Sequence, residues 1–113
     1  MLEIERLANM LKEAGIPFER NDEDLRPNHN YYKFHLVYPE FGGCFELHKR
    51  VCSVIQGTCT YGGLENKLEI MGLLTEEEKE NDDVCGWLTA EDVFERIKAH
   101  WEMMNGENNG IKR

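Results

Sequence analysis

The sequence predicts an α+β domain: an N-terminal helix, a three- to four-stranded antiparallel sheet, and two C-terminal helices packed on one face. Three observations predict it. Apolar residues recur at helical spacing near the start, alternate at strand spacing over Tyr31–Tyr38, and return to helical spacing behind a capping residue at Thr89. A chain of 113 residues is one domain's worth and can bury a core without a metal or disulfide to hold it. Residues 1–104 are expected to form that domain and 105–113 a flexible tail.

The first helix rests on Ile4, Leu7, Leu11 and Ala14, which share one stripe of a 3.6-residue period with Met10 beside it. Gly15 suits the left-handed residue that closes a helix, and Pro17 blocks continuation. Glu19–Asp24 and Arg26–Asn30 are polar throughout and read as loop, with at most a short strand at Phe18 before them. In the next segment Tyr32, Phe34, Leu36 and Tyr38 face one way and Tyr31, Lys33, His35 and Val37 the other, as in a half-buried strand. Pro39 ends it and Phe41–Gly43 turns. Cys44–His48 and Arg50–Ile55 then read as one bent strand or two short ones in an antiparallel meander.

Gly57–Gly63 is a glycine-rich loop. Leu64, Leu68 and Met71, widened by Ile70 and Leu74, predict a second helix closed by Gly72. Thr75–Glu78 has the spacing of a capping box and starts one acidic helical turn. Glu80–Asp83 is a loop and Val84–Trp87 a short edge strand. Thr89 caps the last helix with Asp92 three residues on, and Leu88 and Val93 hold the positions of a hydrophobic staple. Ala90, Phe94, Ile97, Trp101 and Met104 form its stripe, so it should run to about Met104.

Charge is the strongest compositional signal. Between Glu65 and Glu95 stand eleven acids and two lysines, a balance equal to the whole chain's net charge of −9. An acidic face repels nucleic acid and membrane surfaces and attracts a basic protein surface. Its simpler role is to keep the protein soluble. No apolar run is long enough to span a bilayer. The opening residues Met1–Arg6 lack the pattern of a signal peptide, so the expected location is cytoplasmic. In that compartment the four cysteines are expected as free thiols.

Four kinds of chemistry compete with simpler roles for these residues. Cys44, His48, Cys52 and Cys59 are zinc ligands by type, but none forms a close pair, and residues four apart in a strand lie about 13 Å apart. No metal and no cofactor are therefore expected. Cys52 or Cys59 with His35 or His48 and Glu46 could make a nucleophilic triad, yet nothing local marks them as activated, so no catalytic residue is assigned. Gly57, Tyr61, Gly62 and Gly63 before a helix could offer amides to an anion, with Arg50 or Lys67 as counter-charge; the simpler role of the glycines is a tight turn. His29, Tyr31, Tyr32, Lys33 and Arg50 are the nearest approach to a basic-aromatic patch, which the overall charge disfavours as a nucleic-acid site. Trp87 either closes the core or stands on an edge where it could anchor a partner. An edge strand near Val84–Trp87 would also permit a homodimer.

Four stretches carry a resemblance: Val51–Ile55, Tyr61–Gly63, Leu68–Glu78 and Cys85–Ile97, with Leu11–Phe18 similar at the start. The chain resembles a family of small acidic proteins encoded by phages and prophages of gut bacteria. The likeness spans most of the sequence apart from the 21–30 loop and the tail, with an extra turn at 41–49. It implies a genomic setting inside a bacterial host and carries over no catalytic residue. Three functions fit that setting. The first is a non-enzymatic inhibitor of a host defence factor such as a CRISPR or restriction nuclease. It would bind a basic groove through Glu76, Glu77, Glu78, Glu80, Asp82 and Asp83, with Glu91 and Asp92 beside them, in place of nucleic acid. The second is a binder that sequesters a nucleotide immune signal in the Gly57–Gly63 loop. The third is a structural or regulatory phage protein with no defence role.

Overall fold

The computed structural model describes residues 1–26, 28–42 and 49–109, with side chains as far as residue 105. Helix α1 (Glu3–Ala14) buries Ile4, Leu7, Ala8 and Leu11. Ala14 at the end of the expected stripe is exposed, and Ala8 takes its place against the core. Gly15 closes α1 at φ 71°. The residue before the helix, Leu2, has no side chain that could cap it. The free amides are instead met from far along the chain: Asn66 Oδ1 accepts the N–H of Glu3 at 2.9 Å, and Oε1 of the fully buried Gln56 accepts that of Ile4 at 3.0 Å.

The sheet comprises β1 (Glu19–Arg20), β2 (Glu23–Asp24), β3 (Tyr32–Pro39), β4 (Arg50–Gly57), β5 (Leu68–Met71) and β6 (Val84–Leu88). Their order is β1-β3-β4-β5-β6, with β2 also on β3, and every pairing is antiparallel. The polar segment Glu19–Asp24, expected as loop, thus lines the outer edge of β3. Edge pairing uses backbone groups, so a two-residue strand needs no apolar side chain. The 43–48 part of the expected meander lies outside the described residues.

The largest departure is at 64–72, where a helix was expected. Gly63–Glu65 forms one 3-10 turn, Asn66 adopts φ 57°, and Leu68–Met71 is strand β5. Leu68 and Ile70 are buried while Leu64 and Met71 are exposed, so the working period is two and not 3.6. In so short a run both periods fit the apolar residues. Pairing with β4 and β6 decides between them.

One face of the sheet carries the core. Phe34, Leu36 and Tyr38 from β3, Cys52 and Val54 from β4, and Leu68 and Ile70 from β5 meet α1 and α3 (Ala90–Asn109). From α3 come Ala90, Val93 and Ile97, with Phe94 and Trp101 partly buried, each buried aliphatic contributing about 1.5–3 kcal/mol. Met104, the last member of the expected stripe, is exposed. The helix nevertheless continues to Asn109, eight residues past Trp101, because extending a formed helix costs little once its first turns are fixed by packing. The two helices on the sheet are therefore the first and the last. Helix α2 (Glu76–Asn81) is a short exposed connector between β5 and β6. Among the described residues no helix is long and apolar enough to cross a membrane.

Candidate partner-binding surface

The eight acids singled out in the sequence fall into two sets. Glu78, Glu91 and Asp92 serve the fold. The carboxylate of Glu78 accepts both terminal nitrogens of Arg96, at 2.7 and 2.8 Å, and closes the capping box of α2 by accepting the N–H of Thr75 at 2.9 Å. The Arg96 guanidinium holds its pKa down at about 2, with the Thr75 amide and the Cys85 thiol adding to the effect. Glu91 pairs with Arg6, and that bond lowers its pKa. Arg6 in turn holds Glu3, whose Oε1 accepts the N–H of Ala90 at 3.0 Å, so the starts of α1 and α3 are tied together. Asp92 accepts the N–H of Thr89 at 3.2 Å and returns its own to the threonine hydroxyl at 3.1 Å.

The second set is Glu76, Glu77, Glu80, Asp82 and Asp83, all exposed on α2 and the turn after it. Their internal partners are weak: Glu76 meets Lys79 at 3.4 Å across an open surface, and Asp82 accepts only the amide of Asp83. The segment joining β5 to β6 is thus a projecting acidic turn. Glu78 anchors it to α3, and five acids face solvent.

The Gly57–Gly63 loop is built differently from an anion cradle. Only a single 3-10 turn follows it, and the amides of Gly57, Thr58, Thr60, Tyr61 and Gly63 are already used. Tyr61 donates to the carboxylate of Glu69 at 2.7 Å, Thr60 to the carbonyl of Gly57, and Gly63 to that of Thr60. A Cβ on Gly63 would sit 1.9 Å from the Gly57 carbonyl oxygen, so this glycine serves the tight closure of the loop. Gly62 packs against the Cβ of Lys67, so that residue starts beside the loop. Arg50 is not there. It opens β4 while Gly57 ends it, about 23 Å away at the usual rise of a strand, and its guanidinium donates to the Phe41 carbonyl at 2.7 Å. The same separation divides Arg50 from Lys33, which pairs with Gly57, so the basic-aromatic patch does not assemble.

What gathers beside the loop is apolar. Tyr61, Leu64 and Trp87 are 57%, 76% and 58% exposed and, with Glu65, line a shallow cleft of about 190 Å³. Trp87 does not close the core. Leu68 pairs with Leu88 and Ile70 with Cys85, so Glu69 faces both Gly86 and Trp87 in a bulge of edge strand β6. Trp87 adopts φ 64° there, a left-handed conformation that costs a non-glycine residue roughly 1–2 kcal/mol, and its N–H donates to the Tyr61 carbonyl at 3.3 Å. A Cβ on Gly86 would meet that of Tyr61 at 2.3 Å, so only glycine lets the loop lie this close to the bulge. The helical assignment of 64–72 had placed Leu64 in the core. The signal against it was Gly62-Gly63 just before the expected helix together with Asn66 in its first turn, three residues tolerant of left-handed backbone within five positions.

The cysteine readings resolve by face. Cys52 points into the core, where burial pushes its thiol up to about 12. His35 lies on the opposite face, hydrogen-bonded to Ser53 Oγ at 2.7 Å, and burial lowers its pKa. Cys52 and His35 therefore form no nucleophilic pair. Cys59 is exposed in the loop, whereas Cys44, Glu46 and His48 lie outside the described residues. Among the described residues no three His, Cys, Asp or Glu side chains are grouped to hold a metal ion. No protein-family description, no curated protein and no solved structure matches the chain.

Proposed function

We propose that this protein is a non-enzymatic phage accessory protein that binds and inhibits a host defence factor in the bacterial cytoplasm. The target is a CRISPR or restriction nuclease, whose basic groove the acidic surface occupies in place of nucleic acid. The observation that carries this reading is the projecting turn with Glu76, Glu77, Glu80, Asp82 and Asp83 open to solvent. A run of carboxylates on a connector fixed at one point by the Glu78–Arg96 pair presents fixed negative charge outward, as a phosphate backbone does. Glu78 ties that surface to α3, while Glu91 and Asp92, exposed at the start of α3, are engaged by Arg6 and Thr89 and are left out of the proposed contact. The nucleotide-sequestering alternative has less behind it. A nucleotide needs a pocket nearer 300–1,000 Å³, and the cleft beside the glycine loop offers about 190 Å³ with no arginine lining it among the described residues.

The test is capture from host lysate at low and high salt, read by mass spectrometry, followed by a cleavage assay on the nuclease recovered. The comparison variant carries E76K, E77K, E80K and D82K and leaves Glu78 alone, since a lysine there would face Arg96. The wild type should retain a basic nuclease at low salt, release it at high salt and block cleavage. The variant should associate about 10- to 1,000-fold more slowly at low salt. Equal capture and inhibition by the variant would overturn the mimicry. Capture without any effect on cleavage would favour a regulatory protein.

A further inference from the structure

Trp87 combines two features that rarely coincide. It is the larger of two exposed aromatic residues lining one cleft, and it is held out by a strained backbone on a bulge. A tryptophan whose only task was to fill space would be turned inward, and a residue with no task would relax to glycine or asparagine at that φ. Bulges on edge strands re-aim side chains and interrupt further pairing, so this one argues for presentation of the indole and against a β6–β6 dimer.

The charge around the cleft decides what it holds. Glu65 lines it, the carboxylate of Glu69 is bonded to the amide of its Tyr61, and Lys67 is the one basic residue whose Cβ packs beside it among the described residues. The segment that holds the net charge of −9 contains β6 and two of the cleft's residues, Glu65 and Trp87, so two copies meeting along β6 would meet with like charge. At about 190 Å³ the cleft admits one long side chain and not a drug-sized molecule. Two aromatic faces beside carboxylates suit a guanidinium, which stacks flat on a ring and forks to a carboxylate, better than a compact ammonium ion. We infer that the Tyr61–Leu64–Trp87 cleft is the anchor point of the interface, taking an arginine side chain from a basic segment of the partner protein. This rests on the proposed function and adds the contact that gives it specificity, since open carboxylates mainly speed encounter while buried aromatic anchors hold the complex.

The test uses the two indole N–H signals of the full chain, from Trp87 and Trp101, followed by NMR as a seven-residue peptide of alternating valine and arginine is added. Lysine and glutamate counterparts of that peptide are the controls. The Trp87 signal should move saturably with the arginine peptide, more weakly with the lysine one, and not with the glutamate one. L64S, read at the Trp87 signal, and W87G, read by titration calorimetry because it lacks that signal, should each weaken binding of the arginine peptide about tenfold or more, equivalent to about 1.4 kcal/mol. The melting temperature of W87G should be unchanged or higher, because glycine takes the left-handed conformation without strain. No shift at Trp87, or an equal shift with the glutamate peptide, would overturn the inference. So would a W87G protein that is less stable and binds the peptide as before, or a Trp87 signal that moves on dilution alone and so reports a second copy as the occupant. The E76K/E77K/E80K/D82K variant should keep its response to the arginine peptide. If nuclease capture survives that variant, the proposed function fails while the anchor stands. If the peptide is ignored by a protein that still captures the nuclease, the anchor alone fails.

Discussion

Replacing Glu78 with glutamine removes one charge and one of the two acceptors for Arg96 from the link between α2 and α3. The amide oxygen can still accept the N–H of Thr75, so the capping box survives, but Arg96 loses its counter-charge. A pKa lowered from 4.5 to about 2 corresponds to about 3 kcal/mol as an upper bound. The Glu78 side chain is 24% exposed and that of Arg96 20%, so water screens the pair, and about 1–2 kcal/mol is the expected loss at pH 7. At roughly 4 °C per kcal/mol for a chain of this size, the melting temperature should fall by about 4–8 °C. The sign with pH is fixed by the direction of the shift. A carboxylate whose folded pKa is depressed contributes its stability above the unfolded pKa and loses it as pH falls toward the folded one. The gap between wild type and E78Q should therefore be full at pH 7, narrow below about pH 5, and close near pH 2. Urea unfolding at several pH values, with the linear extrapolation applied to both proteins, measures it. A gap under about 0.3 kcal/mol at pH 7, or one that stays constant as the pH falls, would refute the reasoning.

Two further outcomes follow from the buried groups. Gln56→Leu leaves the Ile4 amide and Asn66 without their buried partner and should cost about 1–3 kcal/mol in urea unfolding, although leucine is the more apolar residue. Thiol labelling at pH 8, mapped by mass spectrometry, should find Cys59 modified in the folded protein and Cys52 modified only at the rate of unfolding, since Cys52 is buried with its pKa pushed to about 12.

Helix capping marks the limit of what local sequence could say. The N-terminus of α2 was legible because its cap is written within four residues, Thr75 and Glu78, and the same holds for Thr89 and Asp92 before α3. The N-terminus of α1 was not, because its caps are Gln56 and Asn66, more than fifty residues away. The site divides in the same way. That residues 65–95 hold the net charge is arithmetic on the sequence. Which of those acids are open and which are bound to Arg6, Arg96 or a backbone amide depends on elements brought together only by folding.

By itself the sequence determined the α+β class, α1, the strand at Tyr32–Pro39, the capping box of α2 and the apolar stripe of α3 as far as Trp101. Each rests on periodicity or on side chains that act within one turn, and such signals survive without a partner. The tertiary structure alone decided that Leu68–Met71 is a strand, that Glu19–Asp24 pairs with β3, and that Arg50 stands a strand's length from the loop it was expected to serve. It alone turned Trp87 outward. Register between β5 and β6 creates that bulge, and register is a property of two strands, which neither strand's residues contain.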